Sequence, residues 1–300
     1  MDHARAILNK LRDLTRTHHA ANRHALLWRE CEAIRHYLWS FQLDNAGTDY
    51  IKAYVNDALP RFLHTLDMLP FQAGLKVLEL GANPYLFTLL MKKFYDFEIY
   101  MANFFNSNIY YEDITSGTQR IWSNMFGEDY SLEYMNFNIE LSSYPYQDNT
   151  FDMILFCEIL EHLIINPLQV FPKLRRIIRP GGLLILTTPN AVRLSNVAHL
   201  IEGSNFFDRY HPEFGVYGRH NREFTCEELQ VLLQNNGFEM VHLVTLDRYN
   251  YSLDRIHKDN YERPAVFAHT KNSLEHLLRN IGANLNNRGD NIYAVARKLG

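Results

Sequence analysis

A short apolar run, Leu75–Leu80, carries an acid near its end, Glu79, and is followed directly by Gly81. Asn is a favoured helix N-cap and Pro a favoured first helical residue, so Asn83-Pro84 predicts the start of a helix. A strand that leads into a helix through a tight glycine turn is how nucleotide-like ligands are held at the edge of a parallel sheet. An ordinary strand–helix junction without a ligand shows the same pattern, so this segment alone leaves both interpretations open.

A second polar group, Cys157-Glu158-Ile159-Leu160-Glu161-His162, follows the apolar run at 151–156. Imidazole titrates near neutral pH, which makes His162, His211 and His220 the candidates for a general base, although a structural role is the alternative for each. The chain has 14 histidines, but none forms a helical pair with metal-ligand spacing beside a carboxylate. The sequence therefore predicts no metal site.

Alternating strand and helix patterns after Gly74 predict an α/β fold: a Rossmann-like, doubly wound and mostly parallel seven-stranded sheet with helices on both faces. The predicted strands are 75–80, 97–102, 132–139, 151–156, 183–188, 238–246 and 291–298. The predicted helices begin at Asn83-Pro84, Asn166-Pro167 and Thr225, with a short one at 273–281.

Two domains are expected. Residues 1–72 are predicted to be helical and to serve as a lid or a packing element, with one helix from Asp49 interrupted at Pro60. Residues 73–300 form the second domain, with insertions at about 104–133, 189–223 and 247–290. Structureless loops longer than about 12–15 residues are often functional, so 189–223 is expected to cover a ligand pocket.

Composition narrows the class of protein. A net charge of -4 and the absence of a basic, aromatic-interleaved stretch argue against nucleic acid as a partner. The three isolated cysteines fit reduced thiols in the cytoplasm better than a disulfide framework. Neither a signal peptide nor a membrane span is expected, and the oligomeric state stays open, with a homodimer among the options.

Five landmarks occur in a fixed order along the predicted elements. They are Glu79-Leu80-Gly81, Tyr144-Pro145-Tyr146 before Phe151-Asp152, Cys157 to His162, Arg179-Pro180-Gly181-Gly182, and Thr187-Thr188-Pro189-Asn190. Together they resemble the class I S-adenosylmethionine-dependent methyltransferases, most closely the type 11/23 group that contains the ubiquinone-pathway O-methyltransferases. The resemblance covers roughly residues 74–246. It departs from the family in keeping only the first glycine of the usual three-glycine turn.

The resemblance implies S-adenosylmethionine as the cofactor and assigns residues to it. The implied cofactor-binding residues are Glu79, Gly81, Ala82 and Asn83 at the amino acid part, Asn103 at the ribose, Glu140 and Leu141 at the adenine, and Cys157 and Glu158 where cofactor and acceptor meet. The family usually has an acid where this chain has Asn103, whose neutral amide can still accept one hydroxyl. Cys157 is interpreted as a small buried hydrophobe, because direct displacement from a sulfonium needs no covalent nucleophile.

The resemblance further implies an enzyme that transfers a methyl group to a small-molecule acceptor, at an oxygen atom, by direct displacement. His162, His211 and His220 are its candidate bases. A nucleotide-dependent dehydrogenase would need a Gly-x-Gly-x-x-Gly turn, which the chain lacks. The remaining alternative is a methyltransferase fold retained as a non-catalytic binding or assembly protein, since a fold alone does not establish a function.

Overall fold

The structure is a computed structural model. It describes residues 2–16, 23–44, 46–106, 108, 110–208, 210, 215–247 and 271–300. Most of the predicted insertion at 247–290 and the candidate base His211 therefore lie outside the described residues.

The strands of the described chain form a single mixed sheet. They are β1 (Gln42–Leu43), β2 (Leu75–Leu80), β3 (Phe97–Asn103), β4 (Thr115–Ser123), β5 (Glu128–Asn136), β6 (Phe151–Cys157), β7 (Ile178–Pro189), β8 (Phe238–Leu246) and β9 (Asn291–Lys298). Their order is β1-β4-β5-β3-β2-β6-β7-β9-β8. The five strands from β5 to β7 run parallel, whereas β1, β4, β8 and β9 join by antiparallel pairing.

This topology confirms the predicted Rossmann-like fold class. The seven predicted strands correspond to β2, β3, β5, β6, β7, β8 and β9, and the boundaries of β2, β8 and β9 agree residue for residue. The sheet is larger than predicted because β1 and β4 extend one edge. The segment at 104–133 is therefore not a plain insertion: it contains β4 and the start of β5, joined by a tight hairpin.

Helices cover both faces of the sheet. They are α1 (Asp2–Arg16), α2 (Arg23–Arg29), α3 (Cys31–Trp39), α4 (Thr48–Met68), α5 (Leu86–Phe94), α6 (Val170–Ile177), α7 (Leu194–Ile201), α8 (Cys226–Asn235) and α9 (Lys271–Asn280). Short 3-10 turns occur at Leu160–His162, Pro167–Gln169 and Val216–Gly218. The expectation of a structureless loop at 189–223 was wrong, because α7 and one of these turns lie within it.

Side chains of the central strands are buried on both faces, as expected for parallel strands covered by helices. Val77 of β2 packs in the cluster formed with α1, α3, α4 and α5, while Leu78 packs in the cluster formed with α6 and α8. The N-terminal helices thus cover one face of the sheet, and α4 reaches β7 and β9. Because side chains alternate along a strand, Glu79 points to the same face as Val77, towards α4.

Two predicted helix boundaries were wrong. The helix after β2 begins at Leu86 rather than at Asn83-Pro84, because Tyr85 has a left-handed φ of 65° that cannot continue into a helix start at Pro84. The helix α4 passes through Pro60 instead of stopping there. Pro60 and most residues after it are buried, so tertiary packing outweighs the lost backbone hydrogen bond.

Other predicted helix starts are confirmed. The side chain of Asn166 accepts a hydrogen bond from the Leu168 N–H at 2.9 Å. Thr225 and Glu228 form a capping box at the start of α8. No helix in the described part of the chain combines the length and apolar character needed to span a bilayer.

Candidate active site

The carboxyl ends of β2, β3 and β6 meet at the point where the strand order reverses. There β2 pairs with β3 on one side and with β6 on the other, which is where ligands bind in open α/β sheets. Gly81 follows β2 with a φ of 66°, a left-handed conformation that favours glycine, and its N–H donates to the Ala102 carbonyl at 2.8 Å. The glycine therefore forms the tight turn that the sequence predicts.

Gly81 lines two neighbouring cavities. The first, of about 460 Å³, lies between α4 and the turn after β2. It is lined by Tyr54, Arg61, Phe62, Glu79 and Cys157 and also by the predicted residues Ala82 and Asn83. The second, of about 640 Å³, includes Asn103, Phe104, Ile139, Glu158, His162 and Tyr217. Because both border Gly81, an elongated ligand can lie across the glycine with one end in each cavity.

Glu79 is buried rather than a solvated strand end. Its carboxylate accepts a hydrogen bond from the Thr88 hydroxyl, and burial raises its pKa to about 8 despite that bond. Near neutral pH the side chain is therefore largely protonated in the absence of a cation. A ligand ammonium in the first cavity would favour the ionised form, as the predicted contact with the amino acid part of the cofactor requires.

Arg61 of α4 is a site residue that sequence reasoning missed. Its side chain is buried, and its Nη1 lies 3.4 Å from Glu158 Oε2. The Arg61 Nε is buried without a hydrogen-bond partner, and the residue lines the same cavity as Glu79. A buried cationic donor beside a buried acid fits the carboxylate and ammonium of an amino acid, so the first cavity fits the methionine part of S-adenosylmethionine.

Asn103 lies at the wall of the second cavity, and its amide is already engaged with the turn after β2. Its Oδ1 accepts from the Asn83 N–H at 2.9 Å, and its Nδ2 donates to the Tyr85 hydroxyl at 3.0 Å. An amide oxygen has a second lone pair, so one ribose hydroxyl can still be accepted. The ribose contact of Asn103 stays a prediction.

Glu140 and Leu141 are not among the residues that line the second cavity; Asn138 and Ile139 lie there instead. The Glu140 carboxylate is fully buried and accepts from the N–H groups of Ile164 and Ile165 at 3.0 and 2.7 Å. It also accepts from the Tyr217 hydroxyl at 3.1 Å. The structure therefore gives Glu140, which directly follows the cavity residue Ile139, a role in holding the loop after β6.

Cys157 and Glu158 lie at the end of β6 as predicted. Burial raises the pKa of the Cys157 thiol to about 12, so it is not a thiolate at neutral pH. Glu158 has a left-handed φ of 53°, and its carboxylate accepts from Thr187 at 2.8 Å and from Asn291 at 3.0 Å. Cys157 faces the first cavity and Glu158 the second, so together they separate the two.

The structure brings two of the candidate bases together. The rings of His162 and His220 meet edge to face with their centroids 5.1 Å apart, beside Glu161. Burial, reinforced by the nearby His220, lowers the pKa of His162 to about 4. Burial also opposes protonation of His220, but the hydrogen bond to Glu223 and the charge of Glu161 outweigh it and raise the pKa of His220.

Glu223 anchors this pair of histidines to α7. It accepts from Arg193 Nη1 and Nη2 at 2.6 and 2.9 Å and from Asn196 at 2.9 Å. Burial acts against ionisation, but the bonds from His220 and Arg193 lower the pKa of Glu223 to about 2. The segment before α8 is therefore tied to the residues after β7 by a buried, charge-assisted contact.

Glu79→Gln is expected to change the pH dependence of stability. Glu79 ionises at about 8 in the folded protein and near its ordinary value of 4.5 in the unfolded chain. Between pH 4.5 and 8, Glu79 is protonated in the folded protein and ionised in the unfolded chain. The contribution of Glu79 to the free energy of unfolding therefore falls by up to about 1.36 kcal/mol per pH unit as pH rises. Glutamine does not titrate. The Tm of the variant minus the Tm of the wild type should therefore rise by several degrees between pH 5 and pH 8, as measured by thermal unfolding. A difference in Tm that is constant over this range would contradict the buried acid.

Comparison with known proteins agrees with this geometry. A family model described as a methyltransferase domain, of type 23, matches residues 49–243, which begin within α4. No curated protein matches the chain.

Several solved structures are similar to this chain. One chain of the complex between the Haloferax volcanii Trm112 methyltransferase activator and a methyltransferase is 11% identical, with a TM-score of 0.52, over 83% of this chain and 93% of that chain. An Archaeoglobus fulgidus SAM-dependent methyltransferase is 15% identical, with a TM-score of 0.48, over 84% and 95%. Haemonchus contortus phosphoethanolamine N-methyltransferase 2, in complex with S-adenosyl-L-methionine, is 14% identical, with a TM-score of 0.47, over 80% and 52%. At 11% identity, the likeness to the first of these structures shows the fold alone.

The family match covers more than half of the chain, and the mixed, largely parallel sheet is consistent with the family's fold. The protein therefore belongs to the class I S-adenosylmethionine-dependent methyltransferases, and S-adenosylmethionine is its cofactor.

Proposed function

We propose that this protein transfers the methyl group of S-adenosylmethionine to an oxygen atom of a small-molecule acceptor. The observation that carries the proposal is the group formed by Glu161, His162 and His220, of which His162 lines the second cavity. A hydroxyl becomes a good nucleophile only as its proton is lost, so its methylation gains from basic groups placed beside it. An apolar pocket without such groups would not favour a hydroxyl.

The lining of the second cavity supports a small acceptor. Phe104 and Tyr217 contact each other edge to face at its wall. Aromatic walls suit an aromatic ring or the apolar face of a sugar. The net charge of -4 supports the exclusion of nucleic acid as the acceptor.

The proposed reaction requires alignment more than covalent chemistry. The cofactor supplies the methyl group and the sulfonium leaving group. Arg61 and Glu79 would hold its amino acid part in the first cavity, while Gly81 allows close approach of the backbone. His162 receives its orientation from the Arg219 carbonyl, which accepts from the ring Nδ1 at 2.9 Å. Because a carbonyl only accepts, Nδ1 carries the hydrogen, and Nε2 keeps a lone pair that can act on the acceptor hydroxyl directly or through a bound ion.

The test is a screen of acceptors with formation of S-adenosylhomocysteine as the readout. Matched pairs that differ only in the reacting group, such as a phenol and the corresponding aniline, separate oxygen from nitrogen as the site of transfer. We expect turnover with hydroxyl-bearing members and a methyl ether in the product, identified by mass spectrometry and NMR. Exclusive N-methylation would refute the oxygen assignment. Tight binding of S-adenosylmethionine without turnover across the screen would favour the non-catalytic alternative.

A further inference from the structure

Glu161, His162 and His220 form a cluster whose potential ligand atoms all lie within 4.8 Å of one another. Backbone contacts fix the two segments that meet there. The Glu161 carbonyl accepts from the Asn221 N–H at 2.7 Å, and Asn221 Nδ2 donates to the His162 carbonyl at 2.9 Å. The cluster is thus assembled by the fold before any ligand arrives.

Both imidazoles are oriented through their Nδ1 atoms. His162 Nδ1 lies 2.9 Å from the Arg219 carbonyl, and His220 Nδ1 lies 3.0 Å from Glu223 Oε1. Each partner is a hydrogen-bond acceptor, so each Nδ1 donates and each Nε2 is free of that bond. Metal-ligating histidines characteristically donate their second ring N–H to a carbonyl or a carboxylate in this way.

The Glu161 carboxylate gives an independent indication of a ligand. Its side chain is fully buried, and its Oε2 accepts from the Thr188 hydroxyl at 2.9 Å. Its Oε1 is buried without a hydrogen-bond partner, 3.8 Å from His162 Nε2. A buried carboxylate oxygen without a partner is costly, and a cation between Oε1 and the two imidazoles would remove that cost.

We propose that Glu161 Oε1 and the Nε2 atoms of His162 and His220 bind a divalent metal ion, Zn²⁺ or one of similar ligand preference. Two imidazoles and one carboxylate suit Zn²⁺ and related transition metals better than Mg²⁺ or Ca²⁺, which prefer oxygen alone. Three protein ligands leave a coordination position open, and His162 also lines the second cavity. The sequence predicts no metal site because its histidines are scattered, and only the fold brings His220 to the adjacent residues Glu161 and His162.

The inference concerns metal binding itself and is independent of which acceptor the enzyme uses. The test is calorimetric titration of chelator-treated, full-length protein with Zn²⁺ alone. We expect one equivalent to bind, and Glu161→Gln, His162→Gln and His220→Gln each to weaken the affinity by at least about tenfold. His242→Gln is the matched control, because His242 is exposed on β8. It should bind Zn²⁺ like the wild type.

Thermal unfolding gives a second measurement in the same samples. Excess Zn²⁺ should raise the Tm of the wild type and of His242→Gln but not that of the three cluster variants, because only a folded site gains from the ion. Circular dichroism verifies that each variant is folded. The proposal is refuted if the wild type shows neither a stoichiometric heat nor a shift in Tm. It is equally refuted if folded variants of all three residues bind Zn²⁺ as tightly as the wild type.

Discussion

Gly81→Val is expected to abolish measurable binding of S-adenosylmethionine. An added Cβ at Gly81 would lie 3.1 and 3.3 Å from Cδ1 and Cγ1 of Ile159, and the two further methyl groups of valine would extend into the cavities that meet at this residue. We expect the affinity to fall by about 100-fold or more, which corresponds to about 2.8 kcal/mol. Calorimetry with S-adenosylmethionine and with S-adenosylhomocysteine measures the loss.

The control for this variant is Gly127→Val. Gly127 also has a left-handed φ, of 64°, but it lies in the β4–β5 hairpin with no heavy atom within 4 Å of an added Cβ. Both substitutions impose a backbone penalty of about 1–2 kcal/mol, so both should lower the Tm, and Gly81→Val should lower it more because of its contact with Ile159. Only Gly81→Val should lose the cofactor. A folded Gly81→Val protein with unchanged affinity would place the cofactor elsewhere, and an equal loss in Gly127→Val would attribute the effect to stability.

The parallel core of the fold could be predicted because its strands are buried on both faces. Apolar runs such as Phe151–Cys157 are bounded by turn residues, and their boundaries follow from composition. The β4–β5 hairpin was missed because β4 lies near the edge of the sheet, and its outer residues, such as Thr115 and Ser116, are exposed. Strands near the edge of a sheet carry exposed polar residues, and in a sequence such a segment resembles a loop insertion. Burial along Gly117–Ser123 has a period of two in the structure, but the residue types there do not alternate between apolar and polar.

The parallel strands also determine which site residues could be predicted from the sequence. The ends of parallel strands meet at one edge of the sheet, so Glu79, Gly81 and Cys157 could be placed together from sequence order alone. Arg61 could not, since its place at the first cavity depends on how α4 packs across the sheet. The sequence signal for Arg61 was a charged residue within an otherwise apolar part of α4.

Long-range contacts decide what the local sequence pattern leaves open. The adenine contact implied for Glu140 and Leu141 stays a prediction, and the neighbouring residues Asn138 and Ile139 are the ones that line the second cavity. The meeting of His220 with His162 depends on the path of the segment after β7, which the local sequence pattern does not specify. The histidines were identified as candidates, whereas their proximity was not.

His162→Gln is expected to lower kcat by about 10²–10⁴-fold with an acceptor from the screen, while KM for S-adenosylmethionine stays nearly unchanged. Glutamine can still donate to the Arg219 carbonyl, but it lacks the basic Nε2. His162 lines the second cavity, whereas Arg61 and Glu79 line the first. Steady-state kinetics with each substrate varied in turn gives the two parameters, and His242→Gln serves as the unaffected control.

The division of the loss between kcat and KM decides what His162 does. A residue that acts on the acceptor hydroxyl, directly or through a bound ion, contributes mainly in the transition state, so kcat and kcat/KM fall together. A residue that only supports the cavity wall would instead raise KM for the cofactor or lower the Tm. Wild-type kcat in a folded His162→Gln protein would remove His162 from the chemistry. The cluster with Glu161 and His220 would then have a structural role, tying the loop after β6 to the segment before α8.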